Sequence, residues 1–213
     1  MGVDEWKDEA RVERWVSRRT EVPGQQEAAR VLFEVLRGRE ITRALDLGTG
    51  DGRVIEGLRA VFPRLQAVGL DFSPPMLKLA SERFGGDPAV SFFEHDLNQP
   101  LPRDLGAFDL VISVQAIHHL PDECKRSLYR EVFENVAPGG LFCNVDLVSL
   151  PTTALFERAM QVFGIGPEDE DATDQPAPVD SQLFWLREAG FADVDCYWKW
   201  LAGAILIGER PDD

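Results

Sequence analysis

The amino-acid sequence predicts an α/β fold: a Rossmann-like, doubly wound, mostly parallel sheet built as one domain of 213 residues. Three observations carry this. Short apolar runs of strand length alternate with stretches in which apolar residues recur every three or four positions. The run Phe108-Asp109-Leu110-Val111-Ile112-Ser113-Val114 is almost continuously apolar, as befits a strand covered on both faces. The run Ala44 to Leu47 breaks into Gly48-Thr49-Gly50-Asp51-Gly52 and then a helical pattern, the way a βαβ unit opens.

Taken in order, residues 4–19 are highly charged, with Trp6, Val12, Trp15 and Val16 interspersed, and read as a partly amphipathic helix that Pro23-Gly24 ends. A second helix runs over 25–37, with Ala28, Val31, Leu32, Val35 and Leu36 on one face and Gly38 as its stop. The first strand is 43–47, and the helix after it runs from 52 to about 62, before Pro63. The second strand, 65–70, ends at Asp71, and Ser73 then N-caps a helix whose first turn holds Pro74 and Pro75. Strand three is 90–94 and leads into His95-Asp96-Leu97; strand four is 108–114. A helix follows from about 122 to 136, then a turn at Ala137-Pro138-Gly139-Gly140, then strand five over 141–148. Residues 152–163 read as a helix, and 168–174 as an acidic, Pro-flanked mobile loop. The chain closes with a helix over 180–189 and two strands, 191–200 and 202–208, joined by a tight reversal. This divides the domain into N-terminal cover helices (1–40), a core (41–150), a lid insertion (151–179) and a closing helix and hairpin (180–213).

Acidic residues number 37 against 22 basic ones, a net charge of −15, which repels nucleic acid and anionic lipid at long range. No apolar stretch approaches the length of a membrane span. Cys124, Cys143 and Cys196 have no metal-like spacing, and an odd number of cysteines without a signal peptide leads to the expectation of a reducing, cytoplasmic setting.

The glycine turn follows the spacing Asp46-x-Gly48-x-Gly50-x-Gly52. A dinucleotide fingerprint would need glycine where Arg53 stands, which disfavours an NAD-dependent oxidoreductase. Asp71 lies 19 residues beyond Gly52, about where a βαβ unit sets an acid against a ribose diol. Together with Asp96, the Phe108 to Ser113 strand with its downstream His-Leu, and Ala-Pro-Gly-Gly-Leu, these blocks resemble the motifs of class I S-adenosylmethionine-dependent methyltransferases, in order, over about 44–148. The resemblance implies seven strands in the order 3-2-1-4-5-7-6, the last antiparallel. It implies that Asp46, Gly48, Thr49 and Gly50 hold the aminoacyl end of S-adenosyl-L-methionine, and that Asp71 takes the ribose hydroxyls. Phe72 would cover the adenine, Asp96 would accept from its amino group with Leu97's backbone alongside, and Met76 and Val114 would also belong to the cofactor site; the product is S-adenosyl-L-homocysteine. Asp71 also suits a helix start, and Asp96 a turn before Asn98 and Pro100.

The family has no universal catalytic residue. His118 is the candidate general base by resemblance, though the commoner role of a His118-His119 pair is to satisfy turn carbonyls before Pro121. No metal is expected, since no Asp/Glu/His cluster has ligand spacing and two adjacent histidines do not readily chelate one ion. Trp6, Trp15, Phe156, Phe163, Trp198 and Trp200 fall in segments that cap the acceptor in this family, although ordinary packing also accounts for each. The function expected is methyl transfer to a small organic acceptor under a lid, with neither nucleic acid nor membrane as partner. The alternative is a protein that binds the cofactor without methylating, or converts the cofactor itself.

Overall fold

The computed structural model describes residues 6–10, 12–13, 24–164, 166 and 173–212. Most of the helix expected over 4–19, and the acidic stretch 168–172, lie outside the described residues.

The sheet contains β1 (Arg43–Leu47), β2 (Gln66–Asp71), β3 (Val90–Glu94), β4 (Phe108–Val114), β5 (Val136–Leu147), β6 (Ala192–Trp200) and β7 (Gly203–Glu209). Their order is β3-β2-β1-β4-β5-β7-β6; the first five run parallel, and β7 runs antiparallel to both β5 and β6. This is the order and polarity the motifs imply. The helices are α1 (Gln25–Leu36), α2 (Arg53–Val61), α3 (Pro74–Phe84), α4 (Asp122–Asn135), α5 (Thr153–Phe163) and α6 (Val179–Ala189).

Successive side chains of a strand point to opposite faces, and here neighbours divide between two cores. Val111, Phe142 and Leu206 pack with Leu128, Tyr129 and Leu186 of α4 and α6. Ile112, Cys143 and Ile207 pack with Leu32, Leu36, Ile55 and Leu58 of α1 and α2. A sheet buried on both sides leaves ligands only its edges and ends, and the parallel strands all end on one side.

One expected boundary is corrected. Ala137-Pro138-Gly139-Gly140 is not a turn ahead of β5 but part of it. Val136 already pairs with Phe108, and the register slips before Leu110, so the extra residues form a bulge. Gly139 N–H donates to Arg210 O and Arg210 N–H donates back to Gly140 O, so the C-terminal tail satisfies the bulged backbone.

Candidate cofactor and acceptor site

The glycine turn leaves β1 and crosses onto β2: Gly48 N–H and Thr49 N–H both donate to Leu70 O, at 2.8 and 2.9 Å. Gly48 holds φ +72°, and a Cβ there would sit 2.2 Å from the Ala116 Cβ, so nothing larger fits. Gly50, at φ +54°, has nothing within 4 Å of where its Cβ would be: the main chain there borders open space.

The acids at the strand ends gather around this turn. Asp46 is 1% exposed. Its Oδ2 accepts from Thr49 Oγ1 at 2.7 Å, and its Oδ1 is buried with no hydrogen-bond partner. Burial pushes its carboxyl up to about 7; the Thr49 bond opposes this, and the charge of Asp71 adds to it. Asp71 accepts from Ser73 N–H at 2.9 Å and from Gly50 N–H at 2.8 Å, one donor on each oxygen. Burial raises its pKa against the pull of those backbone donors. Ser73 caps α3, with its Oγ accepting from Met76 N–H, and donates to Trp6 O at 2.5 Å. Met76 is buried, and Phe72 and Leu97 are half-buried. Asp96 Oδ1 accepts from Asn98 N–H and Nδ2, both at 2.9 Å, which is the turn role weighed from sequence. Val114 closes β4 on the same side of the sheet.

Beyond β4 the chain passes Gln115, at φ +54°, into a 3₁₀ turn, Ile117–His119. His118 is buried there. Its backbone N–H donates to Asp146 Oδ2 at 2.9 Å, and its Nδ1 lies 2.5 Å from Asp146 Oδ1. Its Nε2 faces Asp174 Oδ1 at 3.3 Å, as does His119 Nδ1, also at 3.3 Å. Burial alone would pull this imidazole down, but the charge and hydrogen bond of Asp146, helped by Asp174, push it up to about 10. With Nδ1 on Asp146 and Nε2 facing Asp174, both ring nitrogens of the candidate general base meet carboxylates.

Asp174 was expected in a mobile loop; it is fastened. Gln175 N–H donates to His118 O at 2.9 Å, and Gln175 Nε2 to His119 O at 3.1 Å. Lys125, 1% exposed, drives its ammonium between Leu120 O and Gln175 O, each at 2.5 Å, with Asp122 Oδ1 at 3.1 Å. Ser149 N–H and Gln182 Nε2 both donate to Ala177 O. Although no Asp/Glu/His cluster has ligand spacing along the sequence, the fold brings ligand atoms of His118, His119 and Asp174 within 4.8 Å of one another. Sequence reasoning missed Asp146, Lys125 and Asp174. The rule that found Asp46 and Asp71, an acid near the carboxyl end of a strand, would have found Asp146; no local signal marks the other two.

A sheet of this order, with an antiparallel β7 and buried acids around a glycine turn, is a Rossmann-like α/β fold whose ligand edge lies at the strand ends. Residues 44–140 match the family described as methyltransferase domain. Among curated proteins, the chain is 38% identical over 96 residues to malonyl-[acyl-carrier protein] O-methyltransferase of Legionella pneumophila, covering 44% of this chain and 34% of that protein. It is 29% identical over 189 residues to demethylmenaquinone methyltransferase of Thermus thermophilus, covering 79% and 83%. Thus the chain spans about a third of the length of the first relative and most of the second. Among solved structures, the DhpI-SAM-HEP complex superposes with a TM-score of 0.69 at 22% identity, covering 98% of this chain and 95% of that one. The match to the methyltransferase domain spans a little under half of the chain.

Proposed function

We propose that the protein transfers the methyl group of S-adenosyl-L-methionine to a small organic acceptor at the carboxyl edge of its sheet. One observation carries the reading: Asp46 Oδ1 is a buried carboxylate oxygen with no partner, next to the open main-chain cradle at Gly50. A buried acceptor without a donor is costly, and the α-ammonium of the cofactor would satisfy it. Asp71 spends one donor contact on each oxygen, which leaves lone pairs for both ribose hydroxyls. Phe72 offers apolar surface to the adenine, as the resemblance implies. The bound sulfonium supplies an already activated methyl group, so the chain's own task is to bind, align and exclude water. The Trp6 carbonyl is tied to Ser73 at this corner. The net charge of −15 and the name of the demethylmenaquinone methyltransferase relative favour a small acceptor over a polynucleotide.

The test is titration calorimetry with S-adenosyl-L-homocysteine, followed by incubation of the protein with labelled cofactor and a metabolite extract. Asp71→Ala is expected to weaken binding by about ten- to a hundredfold, the loss of charge-assisted hydrogen bonds. Unchanged affinity removes the ribose assignment. Tight binding with no labelled product selects the non-methylating alternative.

A further inference from the structure

We infer that His118, His119 and Asp174 form a binding site for one divalent transition-metal ion of the zinc type, with Asp146 orienting the first ligand. The four residues come from three parts of the fold: the 3₁₀ turn after β4, the end of β5, and the segment leading into α6.

The separations suit an ion. At zinc–nitrogen and zinc–oxygen bonds of about 2.0–2.1 Å, two ligands of a tetrahedron stand roughly 3.4 Å apart. His118 Nε2 and His119 Nδ1 each lie 3.3 Å from Asp174 Oδ1, and all three atoms lie within 4.8 Å of one another. Asp174 Oδ1 is shut off from solvent, and despite both approaches it makes no aligned hydrogen bond. Thr173 Oγ1, 3.0 Å from His119 Nδ1, is a neutral oxygen at the rim of the same group.

The surroundings suit an ion as well. A metal-bound histidine characteristically donates its other ring N–H to a carboxylate, which fixes the tautomer and turns the remaining lone pair to the metal. His118 has that partner: its Nδ1 meets Asp146 Oδ1, and the same carboxylate takes the His118 and Leu147 backbone N–H groups. Asp146 is thus held by three donors and cannot swing in as a ligand without breaking them. Two imidazoles and one carboxylate match a zinc-type donor set, and three protein ligands leave a fourth position for water or an acceptor oxygen. The site is also preformed. Gln175 and Lys125 fasten the Asp174 segment by contacts that no metal is needed to make.

The competing arrangement is an imidazolium lodged between two carboxylates, with a proton where the ion would be. The test separates the two on metal binding alone and does not depend on methyl transfer. The full chain, dialysed against chelator, is titrated with Co²⁺ while visible absorption is recorded, and with Zn²⁺ by calorimetry. Expected are one equivalent of Co²⁺ with intense tetrahedral d–d bands, and zinc displacing it. His119→Ala and Asp174→Asn, both at partly exposed residues, should each weaken zinc binding by about tenfold or more; Asp146→Asn, if it folds, should do so by about ten- to a hundredfold. His95→Gln, remote from the cluster in sequence, should bind as the unaltered protein does. The inference is overturned if the unaltered protein takes up no Co²⁺ or Zn²⁺ at about 100 µM, well above micromolar affinity, or if His119→Ala and Asp174→Asn bind as tightly as it does.

Discussion

The two halves of the carboxyl edge are built by different means. On the β1–β2 side, the working groups lie within a few residues of a strand end and are placed by backbone. Gly48 and Thr49 hang on Leu70 O, and Gly50 and Ser73 hold Asp71. On the β4–β5 side, His118 depends on Asp146 and Asp174, and the segment carrying Asp174 depends on Lys125 and Gln182. The first half is a local motif; the second is assembled from parts that meet only when the chain is folded. A fault in the motif half should cost ligand affinity, whatever it costs in stability, and a fault in the assembled half should cost stability while leaving cofactor affinity nearly intact.

The sharpest way to break this comparison is Gly48→Ala. The variant places a Cβ 2.2 Å from that of Ala116 and forces φ +72° on a residue that resists it. The two costs together are about 2–5 kcal/mol of stability, with cofactor affinity falling as the turn shifts. Urea unfolding and calorimetry measure both, and retention of full affinity would show that the turn is not a rigid cradle. Lys125→Met is next. It keeps the volume but strands Leu120 O and Gln175 O, each losing a buried charged donor, for about 2–4 kcal/mol. On the assembled side that loss should leave S-adenosyl-L-homocysteine affinity within about twofold; a large drop in affinity would mean the halves are coupled. The smallest effect is on pH dependence. Asp46 is held at about 7 in the free protein, and a cationic ammonium favours its charged form. Cofactor binding should therefore tighten as pH rises from about 6 to 8, by up to about tenfold. Asp46→Asn should flatten that profile.

The same division decides what could be read from sequence. β1 to β4, the Ser73 cap and α2 to α4 stand where spacing and punctuation put them, because each rests on neighbours along the chain. Asp46, Asp71 and the glycines were legible for the same reason. The start of β5 was not: Pro138-Gly139-Gly140 has turn chemistry, and only pairing with Phe108 and Arg210 makes it strand. His118 could be located but its role could not, since nothing around residue 118 announces a carboxylate from residue 146 or another from residue 174. The acids of 168–174 read alike as solvated loop, yet long-range contacts single out Asp174.

The antiparallel β7 has a consequence in the order of synthesis. β5 ends at Leu147, but the strand that covers its outer edge begins only at Gly203, 56 residues later. At ribosomal speeds of about 5–20 residues per second, that interval lasts about 3–11 seconds. For that time the nascent sheet has a bare, largely apolar edge, the kind that recruits other strands. α1 waits far longer: it ends at Leu36, yet Ile205, Ile207 and Trp198 of the final hairpin join its core, and Trp200 backs its opening turn at Gly24. A chain cut short before residue 203 would keep both the exposed strand and the unseated helix.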